Sequence, residues 1–247
     1  MSQPIGIMGA MPEEVTDLAS AIEGLQTVPR AGRRYARGRL FGHEVVLVHS
    51  LCGKVAAATT STDLIAHFGV GEIIFTGVAG AVRPDLRIGD VVVATELIQH
   101  DMNAEPLFPR YEIPLSGRSR HGTDPARRDR AIAAAEFFLA AEGAARLGTP
   151  ADRPPRAVAG VIASGDRFFA SGPEIGRLRE QLPDVAAVEM EGAAVAQVAH
   201  DFDVPLTVIR TISDAGDDGA GRDFSQSLQT LAAAWSHGIL EAMFTNR

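Results

Sequence analysis

The sequence predicts an α/β fold, a single three-layer α/β/α domain with a central mixed, twisted sheet. Three observations predict it. Short apolar runs alternate with stretches of helical spacing along the chain. Most of the apolar runs end in glycine, serine or a carboxylate, as strand-to-helix junctions do. No internal repeat or low-complexity segment interrupts the alternation, and the Pro-rich stretch at 147–155 is too short to separate two cores, so 1–247 reads as one domain.

Residues 4–9 form a short apolar strand ending in glycine, and 12–22 carry Val15, Leu18, Ala19 and Ile22 at helical spacing. Pro12 sits in the first turn of that helix, where its missing N–H costs nothing. Residues 34–40 and 44–50 flank Phe41-Gly42-His43 as a hairpin. An alanine-rich helix spans 54–68, a strand 72–78 enters a glycine turn at 77–80, and Gly89-Asp90 introduces a strand at 91–98. The stretch 101–125 holds Pro106, Pro109, Pro114 and Pro125 without a period and reads as a long functional loop. A helix follows at 126–146, then the connector, a strand at 157–163, a short helix at 173–181 and a strand at 185–188. Another helix reaches His200, and a strand spans 206–212. Phe224, Leu228, Leu231, Trp235, Ile239 and Met243 step along one last amphipathic helix.

Composition narrows the function. With 46% hydrophobic and 22% charged residues the chain can bury a core, and no apolar run is long enough to span a membrane. The N-terminus lacks the pattern of a signal peptide, which predicts a cytoplasmic protein. Cys52 is the single cysteine, so an intrachain disulfide and a cysteine metal cluster are excluded. The net charge of −8 argues against nucleic acid, and the arginine groups at 33–39 and 127–130 read as solvated faces. The histidines lack zinc-site spacing, Gly77–Gly80 lacks a P-loop lysine, and no dinucleotide fingerprint or nucleophile elbow occurs. The sequence therefore predicts no metal and no cofactor.

Ligands of α/β sheets bind beyond the carboxyl ends of strands. The chain places Gly9 to Glu14, Gly77 to Gly80, Ser164 to Phe169, Glu189-Met190-Glu191 and Ser213-Asp214 there. Such a set of carboxylates, a methionine and backbone turns suits hydrolysis or transfer through a cationic sugar, where carboxylates stabilise positive charge and steer water.

The blocks Ile5 to Val15, Cys52 to Ala57, Thr76 to Gly80, Ser164-Gly165-Asp166, Val188 to Ala193 and Arg210 to Asp214 occur in that order. Together they resemble the nucleoside phosphorylase superfamily, and more closely its 5'-methylthioadenosine/S-adenosylhomocysteine nucleosidases. The resemblance covers nearly the whole chain except about 101–155. It implies a nucleoside phosphorylase-like fold that cleaves the purine–ribose bond in cytoplasmic methionine salvage. The partner is then a small purine nucleoside, and the assembly a homodimer whose second copy closes the 5' pocket. The implied roles are Asp214 as acid at N7 of adenine, oriented by Ser213, and Glu191 on the ribose hydroxyls. Met190 lies under the sugar, and Glu14 holds the attacking water with Arg210 nearby. Phe168 and the backbone of Phe169 frame the base, and Cys52 lies near the 5' substituent. Val78 and Gly80 line the substrate, and Glu189 is a second carboxylate beside Glu191. Apart from the resemblance, the apolar residues of the long loop itself predict Phe108 as a wall of the 5' pocket.

The chain departs from the family pattern at Val78, where a small hydroxyl residue is usual, at Arg167, where a small residue is usual, and in the loop from Gln99 onward. Two rivals remain open: a purine nucleoside phosphorylase, which uses phosphate in place of water, and a nucleoside-binding protein without catalysis. The charge of Glu13 and Glu14 at the first turn argues against phosphate, and the retained Glu14, Glu191 and Asp214 argue against a silent binder.

Overall fold

The structure, a computed structural model, describes residues 3–147 and 153–245. Its strands are β1 (Ile5–Gly9), β2 (Glu23–Arg30), β3 (Arg33–Leu40), β4 (His43–His49), β5 (Glu72–Ala81), β6 (Val91–Gln99), β7 (Arg120–Gly122), β8 (Ala157–Ser164), β9 (Val185–Glu189) and β10 (Leu206–Asp214). All join one mixed sheet. The helices are α1 (Thr16–Ser20), α2 (Lys54–Ala66), α3 (Pro125–Phe138), α4 (Ala144–Leu147), α5 (Gly172–Gln181), α6 (Gly192–Asp201), α7 (Ala220–Ser227) and α8 (Ala233–Thr245).

Alternation along the strands builds the layers, because successive side chains point to opposite faces. Ile73, Phe75, Val92, Ala94 and Val208 pack with Leu64 of α2 and Val195 of α6. Their neighbours Ile74, Val91, Val93 and Ile209 pack with Leu18 of α1, Phe138 of α3 and Trp235 of α8. The predicted three-layer α/β/α architecture is thus the observed one.

The sheet also curls upon itself. β5 pairs in parallel with β1 and β10, while its last residues Gly80 and Ala81 pair antiparallel with Val188 and Ala187 of β9. β10 returns through β6 and β8 to β9, which closes a ring of strands through β5. β5 and β9 overlap only at their carboxyl ends. Antiparallel strands joined that way bring the chain segments that follow both to one place, and the site lies there.

Several elements differ from the sequence reading. The 12–22 helix is a tight turn, Pro12–Glu14, followed by the short α1. β2 was not expected; it is an exposed edge strand holding Gly24 and Pro29, so no burial pattern marked it. The Gly77–Gly80 segment is not a turn but the continuation of β5. The loop after residue 100 contains β7 and ends where the Asp124 carboxylate caps α3 through the Arg127 N–H at 2.8 Å. The 126–146 helix and the terminal helix are each interrupted by a widened turn, at Leu139–Gly143 and Leu228–Ala232. Residues 148–152 of the connector lie outside the described residues.

Trp235 fastens α8 to the sheet. It is fully buried, stacks edge-on against Phe138 at 5.4 Å, and its indole N–H donates to the Gly89 carbonyl at 3.1 Å. Trp235→Ala is expected to lower unfolding free energy by about 3–5 kcal/mol, read as a fall in the urea midpoint at constant slope.

Candidate active site

Four carboxylates, two methionines and the end of β5 enclose one cavity of about 460 Å³, part of it open to solvent. Its lining includes Met11, Glu14, Cys52, Val78, Gly80, Phe168, Glu189, Met190, Glu191, Ser213, Asp214 and Phe224. Phe169 is buried at an adjoining recess shared with Arg167, Phe168 and Met190. Arg210 stands behind the wall, almost fully buried.

Glu14 belongs to the turn after β1 and folds back onto it. Its Oε2 accepts the N–H of Ala10 at 2.6 Å and of Met11 at 3.0 Å, and its Oε1 accepts the Val78 N–H at 3.0 Å. A Cβ at Gly77 would stand 2.6 Å from Glu14 Oε1, so glycine is required where β5 passes this carboxylate. A Cβ at Gly80 would stand 2.9 Å from Asp214 Oδ1, so the same strand also makes room for the second acid. Burial raises the Glu14 carboxyl above its usual range, opposed by the Arg210 charge and the three N–H bonds.

Asp214 ends β10. The Ser213 hydroxyl donates to Oδ2 at 2.7 Å and the Gly216 N–H donates to Oδ1 at 2.8 Å. Burial raises this carboxyl as well; the two hydrogen bonds oppose that, and the Asp223 and Asp217 charges add to it. A carboxyl raised in this direction holds its proton to higher pH than an exposed one, which suits it to donate that proton to a base.

Glu189 and Glu191 face different partners. Glu189 Oε2 accepts from Arg210 Nη2 at 2.7 Å and Nε at 3.2 Å, and the Ser164 hydroxyl donates to Oε1. The Gly192 N–H also donates to both of its oxygens, at 3.0 and 2.9 Å. Glu191 Oε1 accepts a single N–H, that of Gly53 at 2.6 Å. Burial first, then the Glu189 charge, push the Glu191 carboxyl up to about 8. Arg210 is held in turn by the carbonyls of Phe75 at 3.0 Å and Ile209 at 3.1 Å, with its guanidinium 4.0 Å from the Phe75 ring centroid.

A sequence model of the phosphorylase superfamily matches residues 4–245. A 5'-methylthioadenosine/S-adenosylhomocysteine nucleosidase from Geobacillus kaustophilus is 40% identical over 228 residues, which is 92% of this chain and 90% of the relative. The chain belongs to the phosphorylase superfamily, in its 5'-methylthioadenosine/S-adenosylhomocysteine nucleosidase family. The crystal structure of such a nucleosidase from Neisseria meningitidis, in complex with methylthio-immucillin-A, superposes with a TM-score of 0.88 at 31% identity over 99% of this chain and 100% of that one. The futalosine hydrolase of Helicobacter pylori superposes with 0.84 at 34% identity over 100% of this chain and 99% of that one.

Glu14, Cys52, Val78, Gly80, Phe168, Glu189, Met190, Glu191, Ser213 and Asp214 come together around the cavity, with Phe169 beside it and Arg210 behind. Phe108 does not line the cavity of its own chain. The loop that carries it is drawn toward α5 instead, where Arg110 and the Tyr111 hydroxyl reach the Gln181 side-chain oxygen, each at 3.3 Å. Arg167 pairs with Glu174 and lies over the Phe169 ring at 5.3 Å. Met11 and Phe224 were missed as lining residues. Met11 stands in the turn after the first strand without a polar group to mark it, and Phe224 reads from sequence as one more apolar step on a helix. Cys52 Sγ lies 3.4 Å from Met11 Sδ, and burial, followed by the Glu191 and Glu14 charges, raises its thiol above the usual value.

Two outcomes follow from the electrostatics. Arg210→Met leaves Glu189 buried without its cation and is expected to cost about 3–5 kcal/mol of stability, whereas Arg210→Met with Glu189→Met recovers most of it; urea denaturation of the two variants measures the difference. The raised Glu191 carboxyl favours the folded state while protonated, so its contribution is present below about 4.5 and is lost as pH rises through about 8. Glu191→Gln should therefore flatten the fall in melting temperature of the ligand-free protein between pH 5 and about 8, and an unchanged slope would remove Glu191 as its source.

Proposed function

We propose that the protein hydrolyses the N-glycosidic bond of adenine nucleosides bearing a 5'-thio substituent, such as 5'-methylthioadenosine and S-adenosylhomocysteine, and releases adenine. One observation carries the choice of water over phosphate. The backbone N–H groups of the turn after β1, which a phosphate would need, are already taken by the Glu14 carboxylate. A carboxyl built into that turn occupies the place of the anion and consumes its donors.

In this reading Asp214, protonated, donates to N7 of the leaving adenine, and Ser213 fixes the orientation of its carboxyl. The C1'–N9 bond breaks as the base takes its electron pair and positive charge gathers on the ribose ring. Glu14 holds a water on the opposite side and takes its proton as the oxygen bonds to C1'. Glu191, once ionised, accepts from the ribose hydroxyls while Met190 packs against the sugar. Phe168 and the Phe169 backbone frame the base, with Phe224 closing the mouth against Phe168 at 5.3 Å. Val78 contributes its N–H to Glu14 rather than a side-chain hydroxyl to substrate.

Met11, Cys52 and Phe224 supply an apolar and sulfur-rich surface for the 5' group. A homodimer completes the pocket in this reading. Phe108 cannot serve its own cavity, and Leu51, Val55, Leu107 and Leu115 expose large apolar surfaces that a second copy would cover. Among the described residues no helix is long and apolar enough to cross a membrane. A place in cytoplasmic methionine salvage fits release of adenine from a thio-nucleoside.

Base release from 5'-methylthioadenosine, measured with and without phosphate, tests the assignment. Turnover should be independent of phosphate and yield adenine with free 5-methylthioribose. Formation of the ribose-1-phosphate product would make the protein a phosphorylase, and no adenine release at all would make it a binder. Asp214→Asn is expected to lower kcat by about a hundred-fold or more with the melting temperature retained, and wild-type turnover in that variant would take Asp214 out of the mechanism.

A further inference from the structure

We propose that Lys54 is a positioning residue for Glu191, fixing the amino end of α2 so that the Gly53 N–H stays directed at that carboxylate. The inference rests on the reading of Glu191 as the ribose-binding group.

Lys54 is the one lysine among 23 lysines and arginines. Everywhere else this chain meets a need for positive charge with arginine, so position 54 has a reason to differ. Its surroundings supply one. Lys54 Nζ lies 2.6 Å from Asp101 Oδ1 and 3.1 Å from Gln99 Oε1, with the side chain only 18% exposed. Those are two separate single oxygens, which suit a compact ammonium and not a planar fork built for bidentate partners.

The contacts form a closed ring. Asp101 Oδ2 accepts the N–H of Asp166 at 3.0 Å, and Asp166 Oδ1 accepts the N–H of Lys54 itself at 2.7 Å. Gln99 is oriented by its amide donating to Gln197 of α6 at 3.0 Å. The ring ties the end of β6, the loop after β8 and the first residue of α2 into one unit. Gly53 stands immediately before that unit with φ of +92°, a conformation that favours glycine, and a Cβ there would meet Asp166 Oδ1 at 3.0 Å. Its N–H is the one hydrogen bond that the described residues give the Glu191 carboxylate. Lys54 does not line the cavity, so any effect on substrate is indirect, and the Gly53 N–H is the contact that leads from this unit to Glu191.

The test compares 5'-methylthioadenosine with its 2',3'-dideoxy analogue, which lacks the ribose hydroxyls. Lys54→Met should raise KM for the parent by about ten-fold, with kcat changed much less and KM for the analogue unchanged. Lys54→Arg should recover little of the loss, and Asp101→Asn should repeat the selective rise. In a Glu191→Gln background Lys54→Met should add nothing further. An equal rise for both substrates, or wild-type KM in Lys54→Met, overturns the proposal. Should Lys54→Met fail to fold, Lys54→Arg and Asp101→Asn decide by the same comparison. If Glu191→Gln leaves the difference between parent and analogue intact, the ribose reading itself falls and the proposal with it. If Glu191→Gln abolishes that difference and Lys54→Met does not alter it, the proposal alone falls.

Discussion

The buried pair of Glu189 and Arg210 is the interaction on which the site depends. Neither group could be tolerated alone at this depth, since an unpaired charge in a dry interior is far costlier than the pair. Arg210 comes from β10 and Glu189 from β9, strands that do not pair with each other but both border β5. The pair therefore fixes the relation of two strand ends that backbone hydrogen bonds leave unjoined. It also sets the charge of its surroundings. Arg210 bonds Glu189, Phe75 and Ile209 but not Glu191, whose carboxyl burial and the Glu189 charge raise to about 8 against the weaker opposing pull of the Gly53 N–H and the Arg210 charge. Glu14 feels the same guanidinium as an opposing influence, whereas Asp214 does not.

β5 carries the second constraint. It must pair on both edges, pass Glu14 at Gly77, pass Asp214 at Gly80 and still reach β9. A side chain at either glycine would fill the space of a carboxylate oxygen. The strand remains extended through that segment, so its N–H groups stay available, and Val78 uses its own to hold Glu14. Substituting valine for a hydroxyl residue at this position therefore leaves the Glu14 anchor intact, because the anchor is backbone.

The layers were legible in the sequence because each central strand is buried on both faces and bounded by glycine or a polar residue, as at Ile5–Gly9 and Leu206–Asp214. The gathering of Glu14, Glu191 and Asp214 was legible for the same reason: all three follow strands. What escaped was set by long-range contact. β2 has no buried face to impose a pattern, and it exists because β3 offers it an edge. The 77–80 segment looked like a turn from its glycines, yet those glycines answer to two carboxylates from elsewhere in the chain. The widened turn at Leu228–Ala232 interrupts the period of the last helix, and Phe224, on the helix before it, lines the cavity, neither of which the apolar stripe alone reveals. Glu189 and Glu191 could not be ranked from spacing, since the choice depended on which one Arg210 reached.

The number of acceptor positions on Glu14 bears on how one fold can serve either water or phosphate. An ionised carboxylate offers about four lone-pair positions. Three are filled by the N–H groups of Ala10, Met11 and Val78. What remains is room for about one further donor, which suits a single water and gives nothing to an anion. A phosphate in the same place would need those N–H groups released and the carboxylate removed. Residue 14 thus acts as a built-in occupant of an anion-binding turn, and the burial that raises its carboxyl toward neutrality favours its taking a proton from the water it holds.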